Sequence, residues 1–373
     1  MTIERPHTKG ISELQESWKK GGQHLVVVLT HTGARAGTKT GTTVHCIRYS
    51  TSDTGGSRDT GPILHPLVVQ VLRRLCTLNA AAAVAGAAGH GSGSTPSHPS
   101  SMAKPVAMPP ILYGTAWKKE RTVELVVQAL RAGFRGIDTA CQPKHYDESG
   151  VGEALELSGV DRSTVYLQTK FTPLNGQDPA RIPYDADAAV EVQVEQSVSV
   201  SLHNLRTSWI DCLVLHSPYA TPAETLRAWR AMEHEVDRGR CRSLGVSNCY
   251  QLADFERLHR EARVKPVVLQ NRFYKDSGYD VALRQFCLEH GVTYQSFWTL
   301  TANPKALSSR PLRRVAKAHG CSEEAAWFGF VRGLGIVPLT GTSSEAHMAA
   351  DLAAPELTHE EIRMLDEVLL HTN

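Results

Sequence analysis

The chain has 373 residues, 41% hydrophobic and 21% charged, and Lys+Arg 40 against Asp+Glu 38 leaves a formal net charge of +2. That is the composition of a soluble globular protein long enough for one large domain of about 250 residues, which excludes wholesale disorder and fibrous repeats. So balanced a charge argues against nucleic-acid binding by the whole molecule, and without a run of 18 apolar residues there is no membrane span.

The N-terminal part differs from the rest. Residues 1–104 hold eleven basic and five acidic side chains, a net of +6, whereas 105–373 carry 29 and 33, a net of −4. Gly37–Thr43 and Thr51–Thr60 are rich in Gly, Thr and Ser, and Ala80–Ser101 is almost wholly Ala, Gly, Ser, Pro and His. Such stretches bury too little apolar surface to offset chain entropy, so 1–104 reads as a low-complexity, disordered leader. Two short apolar runs interrupt it, Leu25–Leu29 and Ile63–Leu75, each a short helix or strand with no partner nearby in sequence. No acidic residue occurs from Gly61 to Lys119, which hints at organellar targeting, while Glu4, Glu13 and Glu16 argue against it. Met102 is an alternative start that would make the leader an artefact of annotation. The eight cysteines (Cys46, Cys76, Cys141, Cys212, Cys241, Cys249, Cys287 and Cys321) include no C-x-x-C and no paired zinc spacing. They read as buried, reduced thiols of a cytoplasmic protein, with no metal site.

From residue 105 short apolar strands alternate with helical stretches. The strands are Ile111–Thr115, Arg135–Thr139, Val165–Phe171, Ile210–His216, Ser243–Asn248, Val267–Phe273, Thr293–Trp298 and Gly335–Thr340. Between them lie 3.6-periodic segments such as Glu120–Ala132, Ala189–Leu205, Ala223–Arg238 and Tyr279–His290. Eight strands with intervening helices predict an α/β protein, a (β/α)8 TIM barrel over 105–373, which closes the sheet and leaves no edge. No strand is followed by G-x-G-x-x-G, so the doubly wound alternative lacks its nucleotide fingerprint.

In such a barrel the active site forms at the C-terminal ends of the strands. Asp138 ends the second strand, Lys170 the third and His216 the fourth, and Tyr146 lies in the loop after Asp138. One charged residue at a strand end is more often structural than catalytic; three on consecutive strands reverse that weighting. A buried Asp and a buried Lys are costly unless paired, so Asp138 and Lys170 are expected to meet over the barrel mouth.

In that order and on those elements, Asp138, Tyr146, Lys170 and His216 resemble the catalytic tetrad of the aldo-keto reductases. The resemblance runs from Pro109 to Leu370. Tyr113-Gly114-Thr115-Ala116-Trp117 looks like the family's first-strand motif and Val151-Gly152-Glu153-Ala154-Leu155 like its V-G-x-A-L helix. Gly245-Val246-Ser247-Asn248 and Gln270-Asn271 are similar to its later strand ends. The resemblance implies hydride transfer from NADPH, with NADH the alternative, to a small-molecule aldehyde or ketone by a monomer that needs neither nucleic acid nor membrane. Tyr146 would be the general acid, Lys170 would lower its pKa with Asp138 holding the lysine, and His216 would orient the carbonyl. Thr115, Ala116, Ser247, Asn248 and Gln270 would contact the cofactor, and Phe297, or failing it Trp298, would stack on the nicotinamide. Trp117 would line the substrate pocket.

Three departures from the family stand out. Tyr146 follows Asp138 by eight residues where most members have five, across an inserted Gln-Pro-Lys-His stretch like that of a branch with tyrosine after Lys-His. Pro143, at the usual place, cannot be an acid. Leu339 replaces the lysine that binds a 2′-phosphate, and R-x-x-x-N becomes His347-Met-Ala-Ala-Asp351, leaving Ser343, Ser344, His347 and Asp351 as candidate contacts. Third, the chain ends at Asn373, directly after the helical stretch Thr358–Leu370, without a long C-terminal loop, so an open pocket is expected. Competing readings are a cofactor-binding redox sensor or regulatory subunit, and a Schiff-base aldolase acting through Lys170.

Overall fold

The computed structural model describes residues 12–20, 23–31, 43–44, 48–51 and 106–371. The chain divides into two units, Met1–Ser97 and His98–Asn373. In the first, β1 (Ser12–Lys20) pairs antiparallel with β2 (Gln23–His31), in a register that sets Lys20 opposite Gln23 and Ser12 opposite His31. Two short strands, β3 (Thr43–Val44) and β4 (Arg48–Thr51), also pair with β2. The apolar run Leu25–Leu29 therefore does have a partner nearby in sequence. That partner, SELQESWKK, carries no apolar run of its own, and backbone pairing is invisible to a reading based on hydrophobicity. The second run, Ile63–Leu75, lies outside the described residues, as does most of the expected leader.

The second unit is a closed barrel of eight parallel strands, and every strand read from the sequence is present in it. They are β5 (Leu112–Gly114), β6 (Gly136–Asp138), β7 (Tyr166–Phe171), β8 (Cys212–Leu215), β9 (Leu244–Ser247), β10 (Pro266–Arg272), β11 (Thr293–Phe297) and β12 (Val337–Thr340). Closure is made by β12 against β5, with Leu339 opposite Leu112 and Thr340 opposite Tyr113. Inside the barrel Leu112, Tyr166, Cys212, Val214 and Val268 pack together, with Met108 and Leu339 against them. The surrounding helices bury a larger layer on the outer face, centred on residues such as Trp229, Trp327, Phe255 and Phe330. Each fully buried side chain of that size contributes about 1.5–3 kcal/mol.

Local sequence signals set the helix boundaries. The helix Pro222–Asp237 starts with proline in its first turn and a capping box between Thr221 and Glu224. The V-G-x-A-L segment forms the helix Glu148–Ser158, whose N-cap Asp147 accepts from the Gly150 amide at 3.0 Å. Gly152 has a packing reason: a Cβ there would overlap the backbone carbonyl of Asn204. Among the described residues six cysteines are free, five of them buried. No helix of these residues is long and apolar enough to cross a membrane.

Candidate active site

The polar strand ends converge as the sequence suggests. Lys170 Nζ donates to Asp138 Oδ2 at 2.6 Å and to the Thr139 carbonyl at 2.8 Å, with side-chain exposures of 1% for Lys170 and 3% for Asp138. The other carboxylate oxygen, Oδ1, accepts from the amides of Gln168 (2.7 Å) and Gln270 (2.9 Å). Both amides also donate to Gln295 Oε1, and Gln295 returns a bond to Gln168 Oε1 at 2.9 Å. A buried ion pair is tolerated only when its remaining lone pairs and protons are satisfied, and this ring of three glutamines supplies the carboxylate's partners. Burial alone would drive the Lys170 pKa down; Asp138 and, less strongly, Tyr146 more than offset this, and the net direction is up. Lys170 is thus an ammonium ion, not a free amine.

The inserted loop brings Tyr146 to this pair by folding into a helical turn. The amides of His145 and Tyr146 both donate to the Gln142 carbonyl, at 3.2 and 3.1 Å. Gln142 is anchored in turn by its side-chain amide on the Gly176 carbonyl at 2.7 Å, and the Trp117 amide donates to the His145 carbonyl at 2.7 Å. Asp147 then caps the next helix. The turn takes up the added residues, and the Tyr146 ring comes to 5.2 Å from Lys170 Nζ, edge-on to His216 with centroids 6.0 Å apart. The Tyr146 pKa is raised, not lowered as expected from Lys170. Burial dominates; Lys170 pulls the pKa down and limits the rise, and Asp138 adds to it.

His216 is half-buried and follows β8, its amide bonded to the Phe171 carbonyl at 2.9 Å. Burial first, then the charges of Lys170 and His145, pushes its pKa down to about 3, so the ring is neutral at physiological pH. The Asn248 side-chain amide donates to the His216 carbonyl at 2.9 Å from a left-handed backbone (φ 54°), and Ser247 Oγ donates to the Gln270 carbonyl at 2.7 Å. Neither caps the helix Leu252–Glu261, whose N-cap is Gln251. In the register of β9, β10 and β11, Ser247 faces Gln270 and Arg272 faces Phe297. A polar cluster beside an aromatic ring on adjacent strands suits a flat, amide-bearing ring, so these residues fit a nicotinamide. Thr115 is buried on the Asp138 carbonyl (3.1 Å), and Ala116 lies at the rim. Trp117 is 61% exposed and lies against His145, with centroids 3.8 Å apart and the rings tilted by 34°.

The other rim is more dispersed. Ser343 and His347 are exposed, and Ser344 caps the helix Glu345–Leu352. Asp351 is buried and accepts from Thr340 Oγ1 at 2.7 Å, and Leu339 packs inside the barrel. Two cations that the sequence reading passed over stand at the mouth. Lys118 reaches the Gly341 carbonyl, and the Arg272 guanidinium lies 3.9 Å from the centre of the Trp298 ring and 5.9 Å from that of Phe297. Gln168 and Gln295 were missed too, although a signal existed: each sits two residues before a flagged inward position.

The family model described as the Aldo/keto reductase family matches residues 110–303. The chain is similar to glyoxal reductase of Bacillus subtilis (strain 168), 26% identical over 245 residues that cover 65% of this chain and 82% of that protein. It is also similar to the NADPH-dependent alpha-keto amide reductase of Saccharomyces cerevisiae, 27% identical over 279 residues, 68% of this chain and 84% of the relative. Among solved structures, an aldo/keto reductase from Brucella melitensis superposes with a TM-score of 0.60 at 26% identity, over 70% of this chain and 95% of that one.

Proposed function

The chain belongs to the aldo/keto reductase family, and on that premise we propose that it reduces the carbonyl of an aldehyde or ketone, with Tyr146 as the proton donor. It is an NAD(P)H-dependent oxidoreductase, in which a dinucleotide, when bound, would supply the hydride for the carbonyl carbon. The observation that carries the reading of the residues is the approach of the Tyr146 ring both to His216 and to the ammonium of the Lys170–Asp138 pair.

The side chains divide the work. Tyr146 passes its phenolic proton to the carbonyl oxygen as charge develops there, completing the alcohol, and is reprotonated from solvent. Lys170 stabilises the resulting phenolate, which is the moment its charge matters most, and Asp138 with Gln168 and Gln270 keeps the ammonium in place. The raised pKa keeps Tyr146 protonated, ready to donate, throughout the neutral range. Neutral His216 hydrogen-bonds the carbonyl oxygen. Ser247, Asn248 and Gln270 would hold the carboxamide of a nicotinamide and Phe297 would support its ring, with Thr115 and Ala116 nearby. Trp117 and Trp298 flank the substrate entrance. Lys118 and Arg272 offer the positive charge that phosphate groups need at the rim.

NADPH is the proposed cofactor, on the relative that is NADPH-dependent; Ser343, Ser344 and His347 would meet the 2′-phosphate, and Asp351 holds Thr340 behind them. The charged state of Lys170 disfavours the Schiff-base reading, since an imine needs a free amine. The functional unit is 105–373, all of whose barrel strands lie between Leu112 and Thr340, acting as a monomer in a reducing, cytosol-like compartment suited to its free thiols. A turnover assay with NADPH and NADH against a panel of aldehydes and ketones tests the proposal. Absence of cofactor binding by fluorescence titration would sink it.

A further inference from the structure

Thr172 lies two residues beyond Lys170, just past the end of β7, and its side chain meets the one that the proposal above sets against the substrate carbonyl. Its Oγ1 is 2.7 Å from His216 Nδ1. Thr172 is 2% exposed, so solvent does not reach this contact freely, and among the described residues Nδ1 is the hydroxyl's hydrogen-bond partner. Both halves of the contact are fixed from behind. The Thr172 carbonyl accepts from the Tyr184 hydroxyl at 2.7 Å and from Gln177 Nε2 at 3.2 Å, and the His216 backbone is held through Phe171 and Asn248.

We propose that Thr172 is a positioning residue that sets the tautomer of His216, holding the proton on Nε2 so that the ring always presents a donor to the substrate oxygen. The argument is one of proton accounting. A neutral imidazole carries a single N–H. If that proton were on Nδ1, it would be donated to Thr172 Oγ1, and the buried hydroxyl proton would be left without an acceptor. Folded proteins avoid unsatisfied buried donors. With the proton on Nε2, the hydroxyl donates to the bare Nδ1 and both groups are satisfied. The low basicity of the ring removes the third state, in which both nitrogens carry protons. A carbonyl oxygen gathering negative charge needs a donor, and the wrong tautomer would offer it a lone pair. The assignment rests on the reading that His216 faces the substrate.

Long-range proton–nitrogen NMR on the 15N-labelled full chain, with the His216 signals identified by their loss in His216→Gln, tests this at neutral pH. A protonated Nε2 with a bare Nδ1 is expected. In Thr172→Val, which keeps the volume and removes the hydroxyl, both tautomers should appear, and kcat should fall on the order of tenfold or more with cofactor affinity unchanged. Thr172→Ser should restore the single tautomer and most of kcat. A proton on Nδ1 in the wild type would overturn the proposal, as would wild-type kcat with one tautomer in Thr172→Val. Should the valine variant not fold, the wild-type spectrum still decides. Wild-type turnover in His216→Gln would instead overturn the role given to His216, a failure that the tautomer measurement keeps separate.

Discussion

The ammonium of Lys170 sits 2.6 Å from a carboxylate oxygen of Asp138, and the two side chains are almost completely shut off from solvent. Such a pair holds the site's geometry at the expense of desolvation, and its value shows when one partner is removed. Lys170→Met leaves the carboxylate buried with only glutamine amides, and should lower unfolding free energy by about 3–5 kcal/mol in a urea titration. The double variant Asp138→Asn/Lys170→Met should be more stable than either single variant. If the losses of the two single variants simply added, the pair would not be coupled.

Removing the acid tests the chemistry more directly. Tyr146→Phe keeps the ring packing against Lys170 and His216 and deletes the proton, so kcat should drop by a factor on the order of 10² or more, with cofactor affinity within a few-fold of wild type. Lys170→Met should be as damaging to turnover. Combining the two should cost far less than the product of the single losses, because both disable one proton-transfer unit. Steady-state kinetics on the four proteins supplies the cycle.

Tyr113 is the control. Its hydroxyl donates to the Thr342 carbonyl at 2.9 Å and burial raises its pKa, so it is a structural phenol. Tyr113→Phe should leave kcat near wild type and lose about 1 kcal/mol of stability for the missing bond. A large loss of kcat there would mean that the acid had been assigned to the wrong tyrosine.

His216 links stability to pH. Its folded pKa is pushed down to about 3 from an ordinary 6.5, so the unfolded chain takes up a proton that the folded chain refuses between those values. The contribution to stability is therefore fully present above 6.5 and is lost as pH falls toward 3. Lys170, Tyr146 and His145 are the titratable groups around the ring. Between pH 7.5 and 5 the wild-type Tm should fall more steeply than that of His216→Gln; parallel curves would contradict a neutral imidazole in the folded chain.

Asp351 has the opposite sign. Burial raises its carboxyl pKa to about 6 from 3.8, despite the bond from Thr340, so the folded state binds the proton more tightly than the unfolded one. Stability from this group is full below 3.8 and is lost as pH rises through about 6. Asp351→Asn can still accept from Thr340 without a charge, and should raise Tm at pH 8 while changing it little at pH 4.5. A stabilisation independent of pH would show that the carboxylate is not the cause.

Apolar runs alternating with 3.6-periodic segments were enough to locate all eight barrel strands, because a strand buried on both faces writes its burial into consecutive residues. Asp138, Lys170 and His216 were legible for a related reason: each is a polar residue at or next to the end of a predicted strand. The pairing of β1 with β2 was not, since a polar strand joined through its backbone leaves no hydrophobic trace. Nor could linear spacing say where Tyr146 goes. An interval of eight residues specifies a reach and not a direction, and only the turn closed on the Gln142 carbonyl sets the ring against Lys170. The contacts of Tyr113 with Thr342, and of Thr172 with His216, span 229 and 44 residues. The bonds from Gln168 to Gln295 and from Gln270 to Asp138 cross the barrel interior over 127 and 132 residues. Closing the sheet on itself brings together side chains that no local pattern relates, and the balance between burial and charge that sets the Tyr146 and His216 pKa values arises only there.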